Sequence, residues 1–130
     1  MKTHTARITP LALAVLVALV VLAPAAAKDG DVLVRGTCTG PSSSKLKLSE
    51  EDGRIEVEFE VDQNRNGVRW SVVLRRPTAV VASATALTRG PSGSFELRRV
   101  VGNRAGDDRI TARATRASGE VCRATATATF

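Results

Sequence analysis

The stretch IEVEFEVD, residues 55–62, decides the fold class of this chain. Apolar residues occupy its odd-numbered positions and acidic residues its even-numbered ones. Successive side chains of a β-strand point to opposite faces, so this order gives one buried face and one wet face. A helix would scatter the same residues around its axis, and the stretch therefore predicts an amphipathic strand.

The same period of two recurs along the rest of the chain. Further alternating stretches lie at residues 69–75, 95–98, 109–115 and 122–129. Turn-forming residues, mostly glycine, proline, asparagine and serine, separate them, and helical periodicity is absent after the N-terminal segment. We predict an all-β fold, an antiparallel sandwich of seven to eight strands.

Two dipeptides predict tight hairpins, Asp-Gly at residues 52–53 and Asn-Gly at residues 66–67. Type I′ turns need positive φ at both central residues, which these dipeptides favour. The two turns would join residues 45–75 into a three-stranded meander.

The register of this meander is consistent on both of its faces. The first turn places Lys47 opposite Glu58 and Lys45 opposite Glu60, and the second places Glu58 opposite Arg75. Apolar residues meet each other on the inner face, and a slip of one residue would spoil both faces together. We predict a Lys47–Glu58–Arg75 row on the outer face.

The segment DQNRNG, residues 62–67, has the opening spacing of a calcium loop. Such a loop needs an acidic ligand at its twelfth position, which is Val73 here, and Arg65 adds a positive charge inside it. Both flanks are predicted strands, whereas the calcium loop lies between helices. We interpret the segment as a hairpin loop in which Asp62 and Asn64 bond their own backbone, and we expect no metal.

Residues 1–27 have the pattern of a signal peptide. Lys2 and Arg7 give a basic start, residues 11–23 are an apolar run, and three alanines form a small-residue cleavage site. Cleavage after the last alanine would leave residues 28–130 as a single β-sandwich domain. We therefore expect a secreted protein, free or associated with the cell wall and without membrane contact; an uncleaved membrane anchor is the alternative.

The two cysteines, Cys38 and Cys122, are expected to form a structural disulfide between the first and last strands, because exported chains pair their cysteines. Lys2 and Arg7 leave with the signal and no acid does, so the formal charge of +6 falls to +4. A mild basic excess of this kind favours contact with anionic polymers.

The residues that remain after processing restrict the available chemistry. The single histidine, His4, lies in the signal, and the chain has no tyrosine. Histidine-dependent triads and zinc sites are therefore excluded from the exported part. Carboxylates at Glu56, Glu58 and Glu60 could suggest glycoside hydrolysis, but the predicted register gives the last two basic partners. We expect neither catalysis nor a cofactor.

Arginines supply the remaining candidate site. Outward positions on the predicted strands are held by Arg69, Arg75, Arg98, Arg109, Arg113 and Arg123. A basic sheet face could hold an anionic cell-wall polymer or a secreted protein. Nucleic acid is not expected, because Trp70 has the parity of core residues and stacking would require exposed aromatics.

Residues 36–76, beginning GTCTGPSSS, and residues 90–126, beginning GPSGSFELRR, resemble a group of small secreted actinobacterial proteins of uncharacterised function. The resemblance implies export and an immunoglobulin-like sandwich, and it implies no activity. The chain differs from true immunoglobulin domains in the spacing from Cys38 to Trp70 and in its lack of tyrosine.

Three functions follow from these expectations. The first is a non-catalytic binding module, with recognition by the arginine face or by the loops at residues 63–67 and 88–93. The second is an inhibitor of a secreted hydrolase, in which Arg89 and the following Gly-Pro would be presented to a trypsin-like protease. The third is a carrier of a small hydrophobic molecule.

Overall fold

The computed structural model describes residues Gly30–Phe130, which form nine strands in two antiparallel sheets. The strands are β1 (Val32–Arg35), β2 (Thr37–Cys38), β3 (Ser43–Glu51), β4 (Arg54–Asp62), β5 (Arg69–Arg76), β6 (Ala79–Leu87), β7 (Ser94–Gly102), β8 (Asp108–Arg116) and β9 (Val121–Ala128). The predicted signal peptide lies outside the described residues. Within Gly30–Phe130 no helix could span a membrane.

The four-stranded sheet has the order β1-β3-β4-β7, and the five-stranded sheet the order β2-β9-β8-β5-β6. The successive strands β4 and β5 thus lie in different sheets, where β4 pairs with β7 and β5 pairs with β8. In an immunoglobulin fold, strands B and E share one sheet and strands C and F the other, which is the same arrangement. The predicted immunoglobulin-like sandwich is confirmed, and Trp70 lies on the strand equivalent to C, where that fold buries a tryptophan.

The first predicted hairpin is confirmed in its turn and its register. Asp52 and Gly53 have φ of 49° and 73°, as a type I′ turn requires. Lys47 lies opposite Glu58 and Lys45 opposite Glu60, and both pairs form ion pairs of 3.0 Å.

The second predicted hairpin is wrong. β4 pairs with β7, and β5 lies in the other sheet, so Glu58 is opposite Arg98 and not Arg75. Between the two strands φ is positive at Asn64 and Gly67 but not at Asn66, so the Asn-Gly pair does not form a type I′ turn. Alternation could not distinguish the two arrangements, because the inner faces of both sheets line the same core.

One N-terminal segment contributes to both sheets, and Gly36 is the point where it changes from β1 to β2. A Cβ at this position would lie 2.3 Å from the Ser44 hydroxyl and 2.6 Å from the Arg123 carbonyl oxygen. Only glycine allows so close a backbone approach. The switch explains why the structure has nine strands where seven to eight were predicted, since β1 and β2 belong to one segment.

The predicted disulfide joins Cys38 to Cys122, which are paired positions of β2 and β9 within one sheet. Closing this loop of 84 residues lowers the conformational entropy of the unfolded chain. In the entropy model this stabilises the folded state by about 4.5 kcal/mol.

The core lies between the sheets and is built from the inward positions of both. Its large members, including Phe59 and Trp70, are fully buried. Strands β8 and β9 supply alanines instead, at positions such as Ala112, Ala124 and Ala126. Small side chains on these strands let the two sheets pack closely there.

One end of the sandwich is closed by a buried ion pair. Arg76 and Asp108 are 7% and 2% exposed, and the guanidinium Nε donates to the carboxylate at 3.0 Å. Arg76 also donates to the Gly102 carbonyl, and the second carboxylate oxygen accepts the Arg104 amide at 2.7 Å. The pair therefore connects the ends of β5, β7 and β8.

At the other end, Thr88 holds two loops together. Its hydroxyl donates to the Arg65 carbonyl at 2.6 Å and accepts the Val68 amide at 2.9 Å. As predicted, the Asp62 carboxylate accepts the backbone amide of Asn64, at 3.0 Å. The loop before β5 is thus fixed by its own polar groups and by Thr88, which is 1% exposed.

Candidate functional site

The outer face of the five-stranded sheet carries arginines and no carboxylate. Its outward positions include Arg69, Arg75, Arg109, Arg113 and Arg123, all exposed. The five strands contain one acidic residue, Asp108, which points inward to Arg76. Within Gly30–Phe130 none of the five arginines makes a hydrogen bond or an ion pair through its side chain. We call this surface the arginine face.

Four of these arginines surround a depression of about 310 Å³. Arg109 and Arg113 lie on β8, on either side of Thr111, and about 13 Å separates their backbones at the strand rise. Arg75 on β5 is directly opposite Thr111. Arg123 on β9 is directly opposite Arg113.

The lining of the depression includes Thr111, whose hydroxyl belongs to a hydrogen-bonded pair. Thr111 and Thr125 are cross-strand partners on β8 and β9, and their Oγ1 atoms are 2.9 Å apart. One hydroxyl must donate to the other, so the accepting hydroxyl keeps its own proton. That proton can be offered only to a group outside the pair.

A β-bulge shapes one rim of the depression. The register between β5 and β6 shifts between Leu74 and Arg75, so Leu74 is opposite Ala82 and Arg75 opposite Val80. Bulges increase the local twist of a strand, and they re-aim side chains at the edges of sites. Arg75 therefore leaves the sheet at a changed angle beside Thr111.

The arginine face carries unbalanced positive charge. Arg113 and Arg123 are cross-strand partners, and like charges in that relation destabilise a sheet by up to about 1 kcal/mol. No carboxylate of the described residues offsets this repulsion within an ion pair. A bound anion would therefore stabilise the sheet as well as being held by it.

The structure assembles only part of the predicted arginine set. Arg75, Arg109 and Arg113 line the depression, and Arg123 completes it. Arg69 lies on the same face, opposite Leu87 and outside the depression. Arg98 lies on the other sheet, where Glu56 and Glu58 engage it. The hydroxyl pair was not predicted, because threonine is a common strand residue and its partner depends on the register.

The outer face of the four-stranded sheet is an ion-pair ladder. Glu58 and Glu60 pair with the lysines of β3, and Glu56 pairs with Arg98. Glu96 is directly opposite Glu60. Burial and the charges of Glu58 and Glu60 raise the pKa of Glu96 above its ordinary value. The carboxylates suggested for glycoside hydrolysis are thus bound to neighbouring cations.

Cys38, Glu120 and Cys122 lie close enough together to resemble a metal site. Both sulfurs are already joined in the disulfide, and the Glu120 carboxylate accepts the Arg116 Nε at 2.8 Å and the Ser42 amide at 2.9 Å. Burial alone would raise the pKa of Glu120, but these two donors lower it below its ordinary value. The three residues therefore fix the end of the sheet, and the disulfide leaves neither sulfur as a thiolate ligand.

The loop proposed for protease inhibition forms a closed turn. Arg89 donates its amide to the Ser94 carbonyl at 2.9 Å, and its carbonyl accepts the amides of Gly93 and Ser94 at 2.9 and 3.2 Å. A Cβ on Gly93 would lie 2.1 Å from the Arg65 amide, so this turn packs tightly on the neighbouring loop. The backbone of Arg89 is thus occupied and does not offer the extended segment that a protease pairs with.

Comparison with known proteins gives no relative from which a function could be transferred. No family model, no curated protein and no solved structure matches the chain.

Proposed function

We propose that the protein is exported and acts outside the cell as a non-catalytic binding module for anionic cell-envelope polymers. The observation that carries this proposal is the arginine face, where five exposed arginines share a surface without a carboxylate. Charge segregation of this kind concentrates polyanions at one surface, whereas interspersed charges do not.

Arginine suits this role better than lysine would. Its planar guanidinium presents a fixed fork of donors, which matches phosphate and carboxylate oxygens in pairs. The four arginines of the depression come from three adjacent strands, so a rigid sheet fixes their spacing. Such preorganisation reduces the ordering that binding must impose on the site.

Two properties support a polymer without bases as the partner. Single-stranded nucleic acid is commonly held by aromatic side chains among basic residues. The arginine face has none, since Trp70, Phe59 and Phe95 belong to the core and Phe130 packs against it, partly buried. The resemblance to small secreted actinobacterial proteins, together with the disulfide, agrees with a site of action outside the cell.

The other two functions have weaker support. The inhibitor hypothesis requires an extended loop at Arg89, and that residue is engaged in a closed turn. The carrier hypothesis requires an apolar cleft, whereas the 310 Å³ depression is lined largely by arginines and another, of about 390 Å³, mainly by polar and charged side chains.

Cosedimentation with cell envelopes across a salt series tests the proposal. Neutralising four phosphates should give a slope of log affinity against log salt of about −3, from the value for single-stranded polyanions. Retention that fades with salt at this slope supports the proposal. Absence of retention at low salt, or retention that salt does not change, contradicts it.

A further inference from the structure

We infer that the depression on the arginine face is a site for a tetrahedral oxyanion, and specifically for the phosphodiester group of a base-free polyol phosphate polymer. This rests on the proposed function and names the chemical group that it recognises. The inference comes from the Thr111–Thr125 hydroxyl pair, which places a neutral hydrogen-bond donor among the arginines of the depression.

The donors that line the depression come from three adjacent strands. Arg75 lies on β5, Arg123 on β9, and Arg109 and Arg113 on β8 on either side of Thr111. The hydroxyl pair adds one proton that neither threonine of the pair accepts. An acceptor at the centre would therefore have to accept hydrogen bonds from more than one plane.

A phosphodiester meets this requirement and a carboxylate does not. A phosphodiester has two charged, non-bridging oxygens, and each accepts hydrogen bonds from directions all around its P–O bond, so guanidinium forks and a hydroxyl outside their plane can bind together. The two oxygens of a carboxylate accept mainly near the plane of the group, so donors outside that plane are bound less well. The geometry thus favours phosphate over carboxylate at equal charge.

The position of the depression on the outer face of a sheet suits an extended polymer. A chain that lies across this face can reach beyond the depression. Arg69 is on the same face beyond the depression, where a second phosphate of the chain can be held. Multiple contacts along one polymer should raise its affinity above that of free phosphate.

The test compares a glycerol phosphate polymer with poly-glutamate by isothermal titration of the purified protein at equal ionic strength. Wild type should bind the phosphate polymer more tightly. The double variant Thr111→Val/Thr125→Val removes both hydroxyls, since either alone could supply the free proton, and should bind the phosphate polymer about tenfold more weakly. Binding of poly-glutamate should not change.

The control is Thr85→Val, an exposed threonine on the same face opposite Ser71, outside the depression. It should bind both polymers like wild type. Circular dichroism and thermal unfolding verify that each variant is folded, and valine suits the strand positions. Inorganic phosphate, followed by NMR shifts of the arginine Nε–H groups, should saturate the same site with lower affinity than the polymer.

Failure of the inference is distinct from failure of the proposed function. Equal affinity of the wild type for the two polymers overturns the oxyanion site, and so does a double variant that keeps the preference for the phosphate polymer. Either result holds even if arginine variants weaken the binding of both polymers. Tighter binding of a dT oligonucleotide than of glycerol phosphate overturns the base-free polymer. Arginine variants that weaken neither polymer overturn the proposed function itself.

Discussion

The substitution Asp108→Asn tests how much of the fold depends on the buried ion pair. Asparagine has nearly the shape of aspartate, so the substitution removes the charge without opening a cavity. It leaves the Arg76 guanidinium, 7% exposed, without its counterion, and it weakens the acceptor of the Arg104 amide. Loss of one partner from a buried ion pair costs about 3–5 kcal/mol.

That loss is large against a total stability of about 5–15 kcal/mol for a domain of this size. An isosteric neutral partner should give the lower end, about 3 kcal/mol, which corresponds to a fall in melting temperature of roughly 15 °C. Urea unfolding followed by tryptophan fluorescence measures it directly, because Trp70 is the only tryptophan and is fully buried.

Two further variants make the measurement specific. Asp107→Asn changes the neighbouring exposed carboxylate, which accepts one bond from Thr129, and should cost less than about 0.5 kcal/mol. The double variant Arg76→Met/Asp108→Leu removes both charges and should recover most of the loss. A loss below about 1 kcal/mol for Asp108→Asn, or one equal to that of the Asp107 control, would show that the fold does not depend on the buried ion pair.

Further stability predictions address the loops, the ladder and the disulfide. Thr88→Val should cost about 1–3 kcal/mol in urea unfolding, because it leaves the part-buried Val68 amide and Arg65 carbonyl without their hydroxyl partner. Thr88→Ser should cost less than about 1 kcal/mol, and equal losses would exclude the hydrogen bonds as the cause. Glu96→Gln should raise the free energy of unfolding by a few tenths of a kcal/mol at neutral pH, because it removes the like charge opposite Glu60. The pKa of Glu96 is raised in the folded state, so its ionisation destabilises the fold as pH rises through that pKa. The stability gained by Glu96→Gln should therefore vanish in acid, where the glutamate is protonated. A gain that persists at low pH would contradict this pH dependence. Replacing Cys38 and Cys122 with serine should lower the free energy of unfolding by about 4.5 kcal/mol in the same assay. A loss below about 1 kcal/mol would show that closing the 84-residue loop in the unfolded chain does not stabilise the fold.

The fold class was predictable because one local rule governs every strand. Alternation assigns an inner and an outer face to each strand, and the Asp-Gly turn at residues 52–53 fixes one register through its positive φ values. The predicted ion pairs of Lys45 and Lys47 follow from that register alone.

The partition of strands between sheets was not predictable from the same rule. Val61 and Trp70 both face the core, and this holds whether β4 and β5 share a sheet or face each other across the core. The choice depends on β7 and β8, which pair with them from far along the chain. Pairing over such distances leaves no local mark in the sequence.

For the candidate site, the sequence predicted the face on which each arginine lies but not which arginines come together. Parity placed Arg75, Arg109 and Arg113 on an outer face, but their convergence depends on β5 lying beside β8. The Thr111–Thr125 pair depends in turn on the register of β8 and β9. Arg89 was selected for its neighbouring proline, and the hydrogen bonds that close its turn come from Gly93 and Ser94.

We propose that the arginine face, and not net charge, binds anionic polymers, and two matched double variants separate these two explanations. Arg113→Ser/Arg123→Ser removes two charges from the arginine face, while Arg35→Ser/Arg54→Ser removes two from the four-stranded sheet. Removing the opposed arginines of β8 and β9 should not lower the free energy of unfolding, so weaker binding cannot be ascribed to unfolding.

Cosedimentation with cell envelopes at low and moderate salt should show retention of the wild type and of Arg35→Ser/Arg54→Ser. Retention of Arg113→Ser/Arg123→Ser should be lost at moderate salt and greatly reduced at low salt, since each neutralised phosphate contributes to the salt slope. Equal loss in the two double variants would mean that only net charge matters. Full retention of Arg113→Ser/Arg123→Ser would contradict the account.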